Sequence, residues 1–124
     1  MKARAVDFVS YLVKDMPESV KFYRDVLGLK LEGSDEGPFV EFDLGNVTLS
    51  LALASAIEEE FDIAKGNAWV AIAVDDIEAA TKELKEKGIT VEDPMDFGVC
   101  KMSQVKDPSG NTLMLHQRAD GTAG

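Results

Sequence analysis

One strand-helix-strand pattern occurs twice in this sequence, and the offset between its copies constrains the fold more than any other feature. In the first copy, an apolar segment ends at Val13, Asp15 precedes a helical pattern, and Gly28 ends it. In the second copy, Asp76 and Gly88 hold the equivalent places, offset by 61 and 60 positions. A fixed internal period indicates repeated structural units. Because the offset is about half of the 124-residue chain, it predicts two copies of one module.

Each copy carries its own signals for the start and end of a helix. Asp15 is a favourable N-cap, Glu18 completes a capping box, and Pro17 lies in the first turn, where its missing N–H costs nothing. The apolar positions then recur at helical spacing and predict a buried stripe formed by Val20, Tyr23, Val26 and Leu27. In the second copy, an amphipathic helix is predicted from Ile77 to Lys87.

Alternating apolar residues predict four strands in each module. In the first module these are Val6–Val13, Leu29–Glu32, Phe39–Leu44 and Val47–Leu53. In the second module they are Asn67–Val74, Ile89–Val91, Val99–Lys106 and Asn111–Gln117. The predicted class is therefore α+β, with two βαβββ modules at 5–54 and 67–117, a linker at 55–66, and a tail at 118–124 that frays from Ala119. A helix covers one face of each sheet, so we expect the two uncovered faces to curl around a shared cup.

The hairpin around Gly45-Asn46 fixes which residues face the cup. A two-residue loop pairs apolar residues that pack toward the helix, namely Leu44 with Val47, Phe42 with Leu49, and Val40 with Leu51. The same register places Asp43 beside Thr48 and Glu41 beside Ser50 on the opposite face. Strong turn residues at Asp107-Pro108-Ser109-Gly110 predict a second hairpin in the other module.

Composition narrows the classes of function. No apolar run is long enough for a membrane span, and we expect no signal peptide at the N-terminus. The net charge of −10 argues against nucleic acid as a partner and favours a cationic ligand. In the alternative, this charge only keeps the protein soluble. Cys100 is the single cysteine, so no internal disulfide can form and we expect a reducing, cytoplasmic setting. We interpret the Cys100 side chain as a small, buried hydrophobic group. The run Glu58-Glu59-Glu60 is interpreted as a solvated turn.

The repeated βαβββ order, the segment Phe22–Leu29 behind Asp15, and the motif Asp107–Asn111 resemble the vicinal oxygen chelate superfamily over residues 5–117. That superfamily includes glyoxalases, extradiol dioxygenases, methylmalonyl-CoA epimerases, fosfomycin-resistance enzymes and bleomycin-resistance proteins. The resemblance implies the paired-module fold. It says little about the reaction, because this fold hosts many activities.

Metal-dependent members of that superfamily place their ligands on the first and fourth strands of each module. Carried over onto this sequence, those positions are Phe8, Ser50, Trp69 and Met114. None of these side chains is a useful ligand for Zn²⁺, Fe²⁺ or Mn²⁺, so we predict no metal and no cofactor. One alternative stays open, in which His116, Glu41 and Asp43 form a facial triad.

Without a metal, the cup is predicted to bind a small molecule. Its lining would combine apolar surface with a few convergent polar groups, and Ala71 and Ala73 leave room for a ligand. Carboxylates beside aromatic rings favour a planar or cationic guest. In the alternative, Phe8, Trp69 and Met114 fill a closed core. The predicted binding residues are Phe8, Ser10, Leu12, Glu41, Asp43, Thr48, Ser50, Trp69, Met114 and His116.

The leading hypothesis is a metal-independent binding protein that resembles the bleomycin-resistance branch and sequesters a hydrophobic or cationic ligand, with no catalytic residue. The resemblance also implies a homodimer. The alternative is a superfamily enzyme, namely a lyase, isomerase or dioxygenase, which uses either a metal or His116 and Glu41 as acid and base. A third hypothesis is a catalytically silent scaffold or regulator.

Overall fold

Two four-stranded sheets, one in each half of the chain, make up the framework of the computed structural model, which describes residues 1–2, 4–57 and 68–122. The chain divides into two compact units, Met1–Ile63 and Ala64–Gly124. Each unit combines one mixed sheet with one principal helical segment. This architecture confirms the predicted α+β class. The run Glu58-Glu59-Glu60 and most of the predicted linker lie outside the described residues.

Unit 1 contains four strands: β1 (Phe8–Val13), β2 (Lys30–Glu32), β3 (Phe39–Asp43) and β4 (Thr48–Leu53). Helix α1 (Met16–Val20) continues directly into a π-helical segment, Lys21–Val26, and a short 3₁₀ turn, Ala54–Ala56, follows β4. The strand order is β1-β4-β3-β2, with β1 parallel to β4 and the other neighbours antiparallel.

Unit 2 repeats this arrangement with β5 (Val70–Ala73), α2 (Ile77–Glu86), β6 (Met95–Asp96), β7 (Cys100–Lys106) and β8 (Thr112–Arg118). Its strand order is β5-β8-β7-β6, and β5 is parallel to β8. The equivalent strands therefore occupy equivalent places in the two sheets. No described helix has both the length and the apolar character needed to cross a membrane.

The two predicted helix caps are both formed. The Asp15 Oδ1 atom accepts a hydrogen bond of 2.9 Å from the Glu18 N–H, and the Asp76 Oδ1 atom accepts one of 3.0 Å from the Ala79 N–H. Each carboxylate satisfies an N–H that has no partner inside its helix. The shared cap explains why an aspartate recurs at this point of the repeat.

We expect Asp15→Ala and Asp76→Ala each to lower the free energy of unfolding by about 1 kcal/mol, because each removes one cap. Urea unfolding followed by circular dichroism measures the change. Asp75→Ala is the matched control, since this exposed carboxylate makes no hydrogen bond with the described residues. An equal loss in the Asp75 variant would show that charge, and not capping, sets the stability.

The predicted buried stripe on the first helix is partly wrong, because the helix changes its pitch. The Leu27 N–H donates to the Phe22 carbonyl, five residues back, at 2.9 Å, which is the π-helical pattern. The wider turn brings Phe22 into the core beside Val20 and Tyr23. Val26 and Leu27 are consequently only half-buried.

The core of unit 1 confirms the predicted hairpin register. Phe42 pairs with Leu49 and Val40 pairs with Leu51, and all four side chains are buried. The Phe42 ring lies 5.9 Å from the fully buried Tyr23 ring, measured between centroids. Alternation along the strands thus sends these residues toward the helix and their neighbours to the other face.

The sixth strand lies further along the chain than predicted. Ile89–Val91 does not form a strand: Val91 makes only an isolated bridge to Val105. The Glu92 N–H donates to the Gln104 carbonyl at 3.1 Å, but Pro94 has no N–H and interrupts the ladder. The strand forms beyond it, at Met95–Asp96, where a loop was predicted.

The second hairpin has the predicted turn, and its end is better anchored than predicted. The buried Asp107 carboxylate accepts hydrogen bonds from the Ser109 N–H at 3.0 Å and the Asn111 N–H at 2.8 Å. At the other end, the Ala119 N–H donates to the Val99 carbonyl at 2.9 Å. The tail was predicted to fray from Ala119, and that prediction is wrong at this residue, because Ala119 is attached to the sheet.

Helix α2 is fixed to its sheet by polar contacts at its first turn. The Ile77 N–H donates to the Gln117 side-chain oxygen at 2.8 Å. Lys101 donates to the Glu78 carboxylate at 2.9 Å, and this hydrogen bond raises the pKa of Lys101. Because Lys101 and Gln117 point toward the helix, their neighbours along β7 and β8 point away from it.

Candidate ligand-binding site

The face of the unit 1 sheet that points away from the helix carries most of the predicted site; we name it the unit 1 face. The strand registers arrange its side chains in three rows. The rows, from one end of the sheet to the other, are Phe8, Thr48, Asp43 and Lys30; then Ser10, Ser50, Glu41 and Glu32; then Leu12, Ala52 and Phe39. All seven site residues predicted in unit 1 therefore share one face.

The middle row is polar and lacks internal partners. Glu41 and Glu32 are cross-strand neighbours, and within the described residues neither carboxylate takes part in an ion pair or hydrogen bond. Like charges placed directly opposite each other destabilise a sheet. Ser50 is only 7% exposed, and its hydroxyl makes no hydrogen bond with the described residues. The carboxylate and hydroxyl oxygens of this row can therefore accept a cation or a hydrogen-bond donor from a ligand, because the described residues supply neither.

Aromatic rings stand on either side of this row. Phe8 is 61% exposed and Phe39 is 59% exposed. Phe39 lies two residues from Glu41 on β3, whereas Phe8 lies on β1 at the serine end of the row. Sequence reasoning identified Phe8 and missed Phe39. Extending the predicted hairpin register by one further pair, Phe39 with Ala52, would have found it.

The third carboxylate of this face, Asp43, is engaged locally. Its Oδ1 atom accepts a hydrogen bond of 2.7 Å from the Gly45 N–H. Its Oδ2 atom lies 4.0 Å from the Lys30 ammonium nitrogen. Asp43 thus closes the hairpin turn and is less available to a ligand than Glu41.

The helix-free face of the sheet in unit 2, named here the unit 2 face, carries the other predicted residues. Met114 and His116 are half-buried there, paired with Ala71 and Ala73 of β5. The neighbouring strand adds two side chains that sequence reasoning missed, because Gln104 pairs with Met114 and Met102 pairs with His116. The hairpin register around Asp107 would have identified both.

Trp69 and Cys100 are both more exposed than core residues. Trp69 is 65% exposed and lies one residue before β5. Phe8 has a comparable exposure of 61%, and the alternative in which these rings fill a closed core stays a prediction. Cys100 is half-buried because it lies two residues from Met102 on the unit 2 face, and not on the face packed against α2. The prediction that Cys100 is buried is therefore wrong.

The residues at the superfamily's metal positions do not fit a metal. Phe8, Ser50, Trp69 and Met114 supply two aromatic rings, a hydroxyl and a thioether, whereas zinc and iron prefer imidazole, carboxylate or thiolate. In the described parts of the chain, no three His, Cys, Asp or Glu side chains group so that they could hold a metal. The alternative facial triad would take Glu41 and Asp43 from β3 of unit 1 and His116 from β8 of unit 2, and it stays a prediction.

The helix side of unit 1 has a hollow beside Met16, but its cation is already neutralised. Arg24 lines this hollow and donates to Asp25 at 2.9 Å and to Asp35 at 3.2 Å. The hydrogen bond with Asp25 raises the pKa of Arg24 and lowers that of Asp25. The helix-free faces are the better candidates for binding.

Comparison with curated proteins gives relatives that carry enzyme names. The chain is 32% identical over 123 aligned residues to a probable lactoylglutathione lyase of Vibrio parahaemolyticus, with 90% of this chain and 89% of that protein covered. It is 27% identical to the lactoylglutathione lyase of Salmonella typhimurium over 90% of this chain and 91% of that one.

Solved structures share the fold at lower identity. TnmS3, described as an antibiotic binding protein from a Streptomyces species, superposes with a TM-score of 0.77 at 22% identity, covering 96% of this chain and 99% of that one. A lactoylglutathione lyase from Agrobacterium tumefaciens gives 0.76 at 20% identity over 94% and 96%. Residues 5–115 match a protein-family model. The chain therefore belongs to the Glyoxalase/Bleomycin resistance protein/Dioxygenase superfamily.

Proposed function

We propose that this chain binds a small hydrophobic or cationic molecule without a metal ion, as members of the bleomycin-resistance branch do. The observation that carries the proposal is the middle row of the unit 1 face. It combines the unpaired carboxylates of Glu41 and Glu32 with the unpartnered hydroxyl of Ser50, next to two exposed phenylalanine rings. A protein that used this face only for packing would cover those rings and pair those charges.

The chemistry of the row favours a guest with a positive charge and a flat apolar part. A cation close to Glu41 and Glu32 offsets their mutual repulsion, and hydrogen bonds to charged groups contribute about 1.5–3 kcal/mol each. Contact of a cation with the face of Phe8 or Phe39 adds about 0.5–2 kcal/mol. The net charge of −10 speeds the approach of a cation through long-range attraction.

The comparisons support this proposal in one respect. An antibiotic binding protein shares the fold of this chain over nearly its whole length, so the scaffold is compatible with ligand capture. The absence of suitable side chains at the metal positions supports binding without an ion. We further propose that the protein is a homodimer, which light scattering tests. We also propose that it acts in the reducing cytoplasm, which cell fractionation tests.

Isothermal titration calorimetry in the presence of EDTA tests ligand binding directly. We expect a cationic glycopeptide antibiotic, or a cationic planar aromatic compound, to bind at micromolar concentrations or below. The affinity for such guests should fall as the salt concentration rises, because the attraction is electrostatic. If neither class gives a binding isotherm, the proposal is wrong.

We expect Glu41→Gln to weaken the binding of cationic guests about 5- to 10-fold and to leave neutral guests unaffected, because the variant removes charge and keeps the size of the side chain. Glu86→Gln is the matched control: it makes the same change of net charge on the exposed surface of α2. Equal weakening in both variants would show that overall charge, and not a contact at Glu41, governs the affinity.

A second candidate function is an enzyme of the superfamily, favoured by the names of its sequence relatives. His116 and Glu41 would then act as acid and base. Turnover in either direction between lactoylglutathione and its cleavage products, measured with and without added Ni²⁺ or Zn²⁺, tests it. Turnover that disappears in both His116→Gln and Glu41→Gln would favour the enzyme. Stoichiometric Fe, Zn, Mn or Ni retained through dialysis would support a metal-dependent form.

A further inference from the structure

Most of the chain's soft donor atoms lie on one sheet face. The chain has five methionines, one cysteine and one histidine. The registers of β6, β7 and β8 place three of those methionines, the cysteine and the histidine together on the unit 2 face. These residues are Met95, Cys100, Met102, Met114 and His116. Of the other two methionines, Met16 is buried in unit 1 and Met1 is the first residue.

A row of three of these residues crosses three adjacent strands. Met102 on β7 pairs with Met95 on β6 and with His116 on β8. Directly opposed residues in antiparallel strands have Cα atoms about 4.5–5.5 Å apart. The flexible thioethers and the imidazole can therefore converge on one point above Met102. The row ends at Ala73 of β5, whose small side chain leaves space beside His116.

Cys100 lies next to this row and supplies a fourth donor. It is two residues before Met102 on the same strand, about 7 Å along the sheet and on the same face. Its cross-strand partner is Arg118, whose guanidinium donates to the Thr122 hydroxyl at 3.3 Å. The thiol and the row are all at least partly exposed to solvent, so an ion can reach them.

We propose that Met95, Met102, His116 and Cys100 bind a soft monovalent metal ion, Cu(I). Thioether and thiolate sulfur select Cu(I), and imidazole also suits copper. No carboxylate belongs to this row, which disfavours the hard cations Mg²⁺ and Ca²⁺. The nearest acidic residue along β6, Asp96, pairs with Lys101 on the opposite face. The proposed site shares no residue with the four positions that the superfamily resemblance assigns to metal ligands, Phe8, Ser50, Trp69 and Met114.

The binding of Ag(I), a redox-stable substitute for Cu(I), tests the proposal on the full chain. We expect one ion per chain and chemical-shift changes at the ε-methyl groups of Met95 and Met102 in ¹³C-methyl NMR spectra, with Met16 unchanged. Anaerobic competition with the chelator bicinchoninate then measures the affinity for Cu(I). If the protein retains neither ion against buffer exchange, the proposal is wrong.

Substitutions distinguish a metal site formed by several side chains from binding of the ion to the Cys100 thiol alone. Met102→Leu keeps the volume and removes the sulfur, and His116→Gln removes the imidazole; each should weaken Cu(I) binding about tenfold. Met16→Leu is the matched control and should leave it unchanged. Loss of binding in Cys100→Ala alone, with the other two variants normal, would reveal an isolated thiol and overturn the site. Circular dichroism verifies that every variant is folded. Because the calorimetry with organic guests contains EDTA, failure here leaves the proposed function standing.

Discussion

Phe42→Ala is expected to lower the free energy of unfolding by about 3–5 kcal/mol, the usual cost of removing a buried aromatic side chain. Phe42 is fully buried and its ring lies 5.9 Å from that of Tyr23. The smaller side chain leaves a cavity, which the surrounding β-sheet and helix cannot fill without distortion. Urea unfolding followed by circular dichroism measures the loss.

Phe39→Ala is the matched control on the same strand. Phe39 is 59% exposed and lies on the unit 1 face, so its removal should change stability by less than about 1 kcal/mol. Because side chains alternate along a strand, a register error of one residue would exchange the two faces. Equal destabilisation by both substitutions would therefore contradict the assignment of the candidate site to the helix-free face.

The fold could be predicted from the sequence where local signals and burial agree. The aspartate caps, the glycines that end the helices and the period-two pattern of β3 and β4 all point to one arrangement. In particular, Phe42 and Leu49 must both face the helix, which fixes the register of every other pair in that hairpin. The position of Glu41 beside Ser50 followed from this argument and is found in the structure.

Two features of the fold could not be predicted because they depend on hydrogen bonds that leave no periodic signal. The π-helical turn brings Phe22 into the core, yet a helical wheel of 3.6 residues per turn places it elsewhere. Pro94 moves the sixth strand to Met95 by interrupting a ladder that begins near Val91. A backbone hydrogen bond overrides the apolar pattern at the first place, and a missing backbone N–H does so at the second.

The candidate site was predicted only where the sequence pattern fixes the register of the strands. Four of its seven predicted residues in unit 1 lie on the β3–β4 hairpin, and Phe8, Ser10 and Leu12 lie on β1. The predicted alternation places all seven on one face, as the strand registers do. Met102 and Gln104 were missed because polar and sulfur-containing side chains do not alternate visibly with apolar ones along β7. Their position follows only from pairing with Met114 and His116 across the sheet.

Trp69→Ala should weaken the binding of planar aromatic guests about 10- to 100-fold. Trp69 is 65% exposed, so it has indole surface available for a ligand to cover. Loss of a tryptophan contact costs about 1.5–3 kcal/mol at a binding site, where stacking and burial add together. Trp69→Phe should recover part of the affinity, because a smaller ring still stacks. Calorimetry on the three proteins measures these differences.

Two further measurements separate a binding role of Trp69 from a general effect of exposed aromatic residues. Phe97→Ala is the matched control, since Phe97 is 55% exposed in the β6–β7 turn and is outside the predicted site. Its removal should leave the affinity unchanged. Trp69 is also the single tryptophan, so a saturating guest that stacks on it should shift the fluorescence of the native protein to shorter wavelength. A guest that binds tightly while this emission stays constant would exclude Trp69 from the site.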